Sequence, residues 1–207
     1  MVKRAELKRD QYYKRAKAEG YRTRSAYKLI QIEDRYRLIN AGDVVLDLGA
    51  APGGWSQVAK ELVGDKGLVI SVDVQQIETL DGVILIKSDI TEVEATIAAV
   101  KETLLSTGRT TVEVVISDAA PNLSGNRDYD QFRSFELSQS ALNIAVALLR
   151  EEGNFVAKIF QGDCYNQFYR AVKEWFRNTK AYSPVASRKR SAEVFVIGRG
   201  FISSKRT

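Results

Sequence analysis

Apolar residues along this chain follow two rhythms. Short, nearly continuous apolar runs recur at Val44–Leu48, Leu68–Asp73, Val83–Lys87, Val112–Ser117 and residues 154–159. Their length and continuity predict strands covered on both faces. Between them lie segments of helical period, over residues 26–39, 55–63, 92–106, 132–150 and 164–178. In the first of these Leu29, Ile32, Tyr36 and Ile39 share a face, Ser25 stands at a capping position and Asn40-Ala41-Gly42 supplies a stop. Two further strands, 181–184 and 192–198, follow without a helix between them and predict a hairpin-like edge. The pattern implies an α/β fold: a doubly wound, mostly parallel sheet with an antiparallel terminal strand and helices on both faces. It reads as one domain, 23–207, behind an N-terminal arm, 1–22.

Several strands end on chemistry. Val44–Leu48 runs into Gly49, Gly53 and Gly54, with Pro52 among them, and Trp55 opens the next helix. Glycines at a strand-to-helix turn let backbone N–H groups approach a ligand beside the helix N-terminus. Trp55 stands where a P-loop needs its lysine, and Ala51 stands at the middle glycine of a dinucleotide fingerprint. Both phosphate-binding readings therefore fail, and a nucleoside ligand without phosphates fits better. Asp73, 24 residues after Gly49, is placed to accept from ribose hydroxyls. Asp89, after the third strand, is placed to accept from an adenine amine, and Asp47 to face a cationic group. After the fourth strand, Asp118-Ala119-Ala120-Pro121-Asn122 predicts a loop, and the polar stretch 124–128 a mobile lid.

Composition narrows the reaction. The chain has no histidine and a single cysteine, Cys164. Serine and cysteine triads, histidine-based zinc sites and cysteine-rich zinc sites are excluded, and no metal is expected. Proton transfer must use Lys, Asp, Glu, Tyr or water. No stretch is long and apolar enough to span a membrane. An apolar signal core is missing as well, so a cytoplasmic, membrane-independent protein is expected.

Charge is unevenly spread. Residues 1–28 hold ten Lys or Arg against three Asp or Glu, a balance of +7, which leaves −2 for residues 29–207. The cations are Lys3, Arg4, Lys8, Arg9, Lys14, Arg15, Lys17, Arg22, Arg24 and Lys28. Tyr12, Tyr13, Tyr21 and Tyr27 are interleaved with them. Cations neutralise phosphates and tyrosine rings stack on unpaired bases, so RNA is the expected partner; the alternative is a solvated tail.

The stretches DLGAAPGGWSQ, SDAAPNLSG, FVAKIFQG and SAEVFVI resemble the FtsJ/RrmJ family of RNA 2′-O-methyltransferases, over about residues 22–198. The resemblance is closest to the branch that methylates a uridine ribose in large-subunit ribosomal RNA. It implies a Rossmann-like methyltransferase sheet with S-adenosyl-L-methionine as cofactor. It also implies a Lys-Asp-Lys-Glu tetrad at Lys28, Asp118, Lys158 and Glu193, and cofactor contacts at Gly53, Trp55, Asp73, Asp89 and Asp118. With Asp47 and Gly49 these form the candidate site. The expected partner is rRNA within a ribosomal particle, met by a monomer whose Arg188, Lys189 and Arg190 extend the basic track. Two alternatives remain open: another RNA such as tRNA, or a non-catalytic RNA-binding assembly factor.

Overall fold

The computed structural model describes residues 10–188 and 191–204. Lys3, Arg4, Lys8, Arg9, Lys189 and Arg190 of the basic tracks lie outside these residues. The helices are α1 (Gln11–Glu19), α2 (Ala26–Tyr36), α3 (Gly54–Val63), α4 (Val93–Ser106), α5 (Arg127–Leu148) and α6 (Tyr165–Trp175). The strands are β1 (Val44–Leu48), β2 (Leu68–Asp73), β3 (Val83–Lys87), β4 (Val112–Ser117), β5 (Leu149–Phe160), β6 (Phe176–Tyr182) and β7 (Glu193–Phe201).

They form one seven-stranded sheet in the order β3-β2-β1-β4-β5-β7-β6. β7 is antiparallel to both of its neighbours, β5 and β6, and the other recorded pairings are parallel. Strand order reverses between β1 and β4, and a crevice opens at the carboxyl ends of the strands on either side of such a reversal.

Alternation along each strand divides the core into two layers. Leu46, Leu48, Phe155, Ala157, Ile159, Val194 and Val196 belong to the layer under α4, α5 and α6. Val45, Val114, Ile116, Val156, Phe195 and Ile197 belong to the layer under α2 and α3. Lys158 and Glu193 take the second face by the same alternation, since Lys158 pairs with Phe195 and Phe160 with Glu193 in the β5–β7 ladder.

Three expectations about element boundaries are corrected. α2 ends at Tyr36, before Ile39, because Arg37 turns left-handed (φ 48°). The Glu33 carboxylate then accepts from the backbone N–H groups of Leu38 and Ile39, at 3.1 and 3.2 Å. Leu38 and Ile39 are apolar because they plug the core, and helical spacing there is incidental. The helix expected over 164–178 stops at Trp175, and Phe176 starts the strand expected later, at 181. Its ring packs on Gly198, where even a Cβ would come within 2.5 Å of it. Ser25 stands at the start of α2 without capping it: its hydroxyl pairs with that of Thr23 at 2.6 Å.

Residues 11–19 of the basic arm form α1, packed on α2. Ala16 and Tyr27 are buried together with Ala186 from the β6–β7 connection. The tyrosine rings expected to meet bases largely meet one another: Tyr27 is buried, with Tyr12 at 5.4 Å and Tyr21 at 5.8 Å between ring centroids.

Candidate active site

At the carboxyl ends of β1, β2, β3 and β4 lies a cleft of about 380 Å³, lined among others by Gly49, Asp73, Asp89, Asp118, Ala119 and Arg133. Each expected residue here stands at or just past the end of a different strand. Gly49 (φ 72°) turns the chain out of β1 so closely under the next loop that a Cβ would stand 2.5 Å from that of Ala119.

Asp73 accepts a backbone N–H on each carboxylate oxygen, from Ala51 at 2.9 Å and Gln75 at 2.8 Å. These bonds fix its plane and leave lone pairs for further donors. Asp89 is exposed and uses Oδ1 for the Thr91 N–H and hydroxyl, at 2.9 and 2.7 Å.

Gly53, Trp55 and Asp47 do not line the cleft. Gly53 (φ 109°) precedes α3 and packs on Arg22 and Leu80. Trp55 is in the core: its indole N–H donates to the Ser25 carbonyl at 2.9 Å and its ring stacks on Phe195. Asp47 was expected beside a cationic group of the ligand. Alternation along β1 turns it under α3 instead, where Ser71 donates to Ser56 and Ser56 to Asp47 Oδ2, at 2.8 and 2.7 Å. Its Oδ1 has no partner among the described residues. Burial, seconded by the charges of Asp118 and Asp73 and opposed by the Ser56 hydroxyl, pushes its carboxyl up to about 7.

The four residues of the expected tetrad come together beside the cleft. Lys158 Nζ lies 3.0 Å from Asp118 Oδ1 and donates to the Asp118 carbonyl at 2.5 Å. Lys28 Nζ lies 2.9 Å from Glu193 Oε1 and 3.4 Å from Asp118 Oδ1. The Lys158 side chain is 5% exposed, so its charge must have partners, and the two lysines and two acids balance one another. Glu193 is pushed up by burial, but the ammonium groups of Lys28 and Lys158 outweigh this and hold it below its ordinary value. Asp118 belongs both to the tetrad and to the cleft wall.

Serine residues that the sequence did not single out fasten this arrangement. In α5 the buried Ser138 hydroxyl lies 3.0 Å from the Lys158 carbonyl, and Ser134 Oγ accepts from the Phe160 N–H at 3.0 Å. In a helix of mixed polarity nothing local distinguishes them from solvent-facing serines. The stretch 124–128 is likewise fastened. Asp130 accepts from the Ser124 N–H and hydroxyl, both at 2.8 Å, and Asn126 caps α5 through the N–H groups of Asp128 and Tyr129.

A family model described as FtsJ-like methyltransferase matches residues 21–201. A protein of Methanothrix thermoacetophila named ribosomal RNA large subunit methyltransferase E is 52% identical over 95% of this chain and 74% of its own length. The protein of the same name from Cellvibrio japonicus is 46% identical over 93% and 90%, respectively. Among solved structures, one from Plasmodium falciparum described as a ribosomal RNA methyltransferase superposes with a TM-score of 0.78. It is 25% identical and covers 90% of this chain and all of that one.

Proposed function

This chain belongs to the FtsJ-like methyltransferase family, and from that premise we propose that it transfers a methyl group from S-adenosyl-L-methionine to a ribose 2′-hydroxyl of large-subunit ribosomal RNA. The observation that carries the reading is the meeting of Lys28, Asp118, Lys158 and Glu193 at one end of a nucleoside-sized cleft.

The residues present suit the cofactor. Asp73 and Asp89 offer carboxylates on the cleft wall for ribose hydroxyls and an adenine amine, and neither is tied in an ion pair among the described residues. Gly49 lets the β1 turn and the loop after β4 approach closely on the cleft wall, where a Cβ would collide with Ala119. Bound there, the sulfonium cofactor supplies an electrophilic methyl carbon.

The chain supplies orientation and electrostatics. As an ammonium, Lys158 directs two N–H groups at Asp118 and keeps a third for the 2′-oxygen. That donor holds the oxygen in line and stabilises the negative charge that grows on it as its proton departs to water. Asp118 fixes Lys158 through two oxygens, so the lysine arrives already aimed. Glu193, kept ionised by Lys28, accepts from the ribose or steadies Lys158 from the β7 side. Lys28 positions the substrate on the α2 side.

The decisive experiment incubates the protein with methyl-labelled S-adenosyl-L-methionine and undermethylated large ribosomal subunits, then maps the label. Label on a ribose 2′-oxygen of the large-subunit RNA is expected. Label on a base, on protein or on tRNA alone overturns the assignment. Retention of the tetrad argues against a non-catalytic assembly factor, because RNA binding alone has no need of two lysines and two acids packed around one pocket.

A further inference from the structure

Asp73 is framed by two separate stretches of chain. The turn after β1 gives it the Ala51 N–H at 2.9 Å, and the β2–β3 loop, residues 74–82, gives it the Gln75 N–H at 2.8 Å. Both stretches line the cofactor cleft, with Gly49 and Ala51 on one side and Val74 and Gln75 on the other. The ladder between β1 and β2 ends at the pair Leu48–Val72, before it reaches either of them.

Arg22, from the α1–α2 loop, joins the two. Its Nη1 donates to the carbonyls of Pro52 at 3.0 Å and Glu78 at 2.8 Å, and its Nη2 donates to that of Thr79 at 2.8 Å. One guanidinium thus spans the β1 turn and the far limb of the β2–β3 loop. The turn passes the hold on to Ala51, because the Gly53 N–H donates to the Ala50 carbonyl at 2.7 Å and closes the chain around it. Room for the guanidinium depends on glycine at position 53, where a Cβ would stand 2.9 Å from both Arg22 Nη1 and Leu80 Cδ1. The root of Arg22 is fastened as well. Its backbone N–H donates to Gln57 Oε1 at 2.8 Å, and Gln57 Nε2 donates to the Gly20 carbonyl at 3.0 Å, so α3 holds the segment from which the fork extends.

Arg22 is one of the cations expected to meet phosphate, yet its recorded side-chain bonds all go to carbonyls of the chain itself. A planar fork can serve three carbonyls on two segments at once, which a single ammonium on a flexible stem does less well. We propose that Arg22 is a positioning residue for the cofactor. By clamping the β1 turn to the β2–β3 loop it holds in place the two N–H groups that set the plane of Asp73, and through them the carboxylate offered to the cofactor's ribose. The inference rests on the cofactor reading given above.

The test measures affinity for S-adenosyl-L-methionine by calorimetry on the full chain, with the urea midpoint of each variant alongside. Arg22→Lys keeps the charge and loses the fork, and Arg22→Gln loses both. Each should weaken cofactor binding by roughly tenfold, the worth of one hydrogen bond to a charged group, and should raise the cofactor KM more than it lowers kcat. Combined with Asp73→Asn, Arg22→Lys should cost clearly less than the two separate losses together, because it acts through that carboxylate. Combined with Asp89→Asn, it should cost their full sum in free energy. The affinity of Arg22→Lys for the isolated RNA, and its salt slope, should match the wild type. Unchanged cofactor affinity in Arg22→Lys, a change confined to RNA binding, or equal coupling to Asp73 and Asp89 overturns the clamp and leaves the function standing. A wild type that binds no S-adenosyl-L-methionine overturns both.

Discussion

Lys28 and Glu193 lie 165 positions apart in the sequence, and their charged groups meet at 2.9 Å, joining α2 to the first residue of β7. Each is about nine-tenths buried. Removing one partner leaves the other only its more distant neighbour, Asp118 at 3.4 Å for Lys28 and the Lys158 charge for Glu193, which costs up to about 3–5 kcal/mol. Lys28→Ala and Glu193→Ala should each lower the urea midpoint by that measure, and the double variant should lose clearly less than their sum. Strictly additive losses would show that the pair is uncoupled. The same pair sets an acid limit. Glu193's stabilising share is complete above its unfolded value near 4.5 and is lost as pH falls through its lower folded value. Lys28→Ala should weaken that acid-side loss.

Lys158→Ala should reduce methyl transfer by at least roughly 10²–10³-fold, the effect of removing one preorganised donor. Cofactor affinity, measured by calorimetry, should stay within about threefold, since that estimate places the loss in the transition state. Normal turnover would remove Lys158 from the reaction.

Asp47 should make the protein more stable in mild acid. Its carboxyl rises from 3.8 when unfolded to about 7 in the fold, so between these values the folded state holds a proton that the unfolded chain lacks. Stability then falls as pH rises through this window. Glu33, raised by burial from 4.5 to about 7, adds a slope of the same sign. Asp47→Asn should keep the Glu33 part and lose its own, giving a shallower stability profile from pH 4 to 7. Identical profiles for variant and wild type would refute this.

Gly49→Ala should deform the cleft. Its Cβ would meet Ala119 at 2.5 Å with the backbone left-handed, so the β1 turn or the loop after β4, both on the cleft wall, must shift. A loss of cofactor affinity of tenfold or more is expected. Gly108→Ala, left-handed in an open turn after α4, serves as the comparison: it bears the same strain without the collision and should leave affinity unchanged.

The first four strands were the most legible part of the fold, because β1, β2, β3 and β4 are short, mostly apolar runs closed by glycine or polar residues. Their bounds follow from the sequence to the residue. Ends decided by distant contacts were not legible: α2 stops where Glu33 turns back on its own chain, and α6 gives way to β6 where Phe176 finds Gly198. The site shows the same division. Asp73, Asp89 and Asp118 were visible as strand-end acids, whereas Asp47 was misplaced although period-two alternation alone puts it under α3. Lys28 and Glu193 carried no local signal and were found only through resemblance. Ser134 and Ser138 had none either, because a hydroxyl that fastens a strand looks like any other until the helix is docked.

The stack of Trp55 on Phe195 has a mechanical consequence. Trp55 opens α3 beside the cofactor turn, and Phe195 pairs with Lys158 in the ladder and carries Lys28 5.7 Å above its ring. Two aromatic side chains thus act as a spacer block between the donor half of the protein and its acceptor half. On the proposed function, the spacing between the β1 turn and the tetrad is set in part by the thickness of this packed contact. Alignment at the reacting atoms is therefore inherited from the tolerance of the core, and a change of one methyl group's width there would be felt as lost reach.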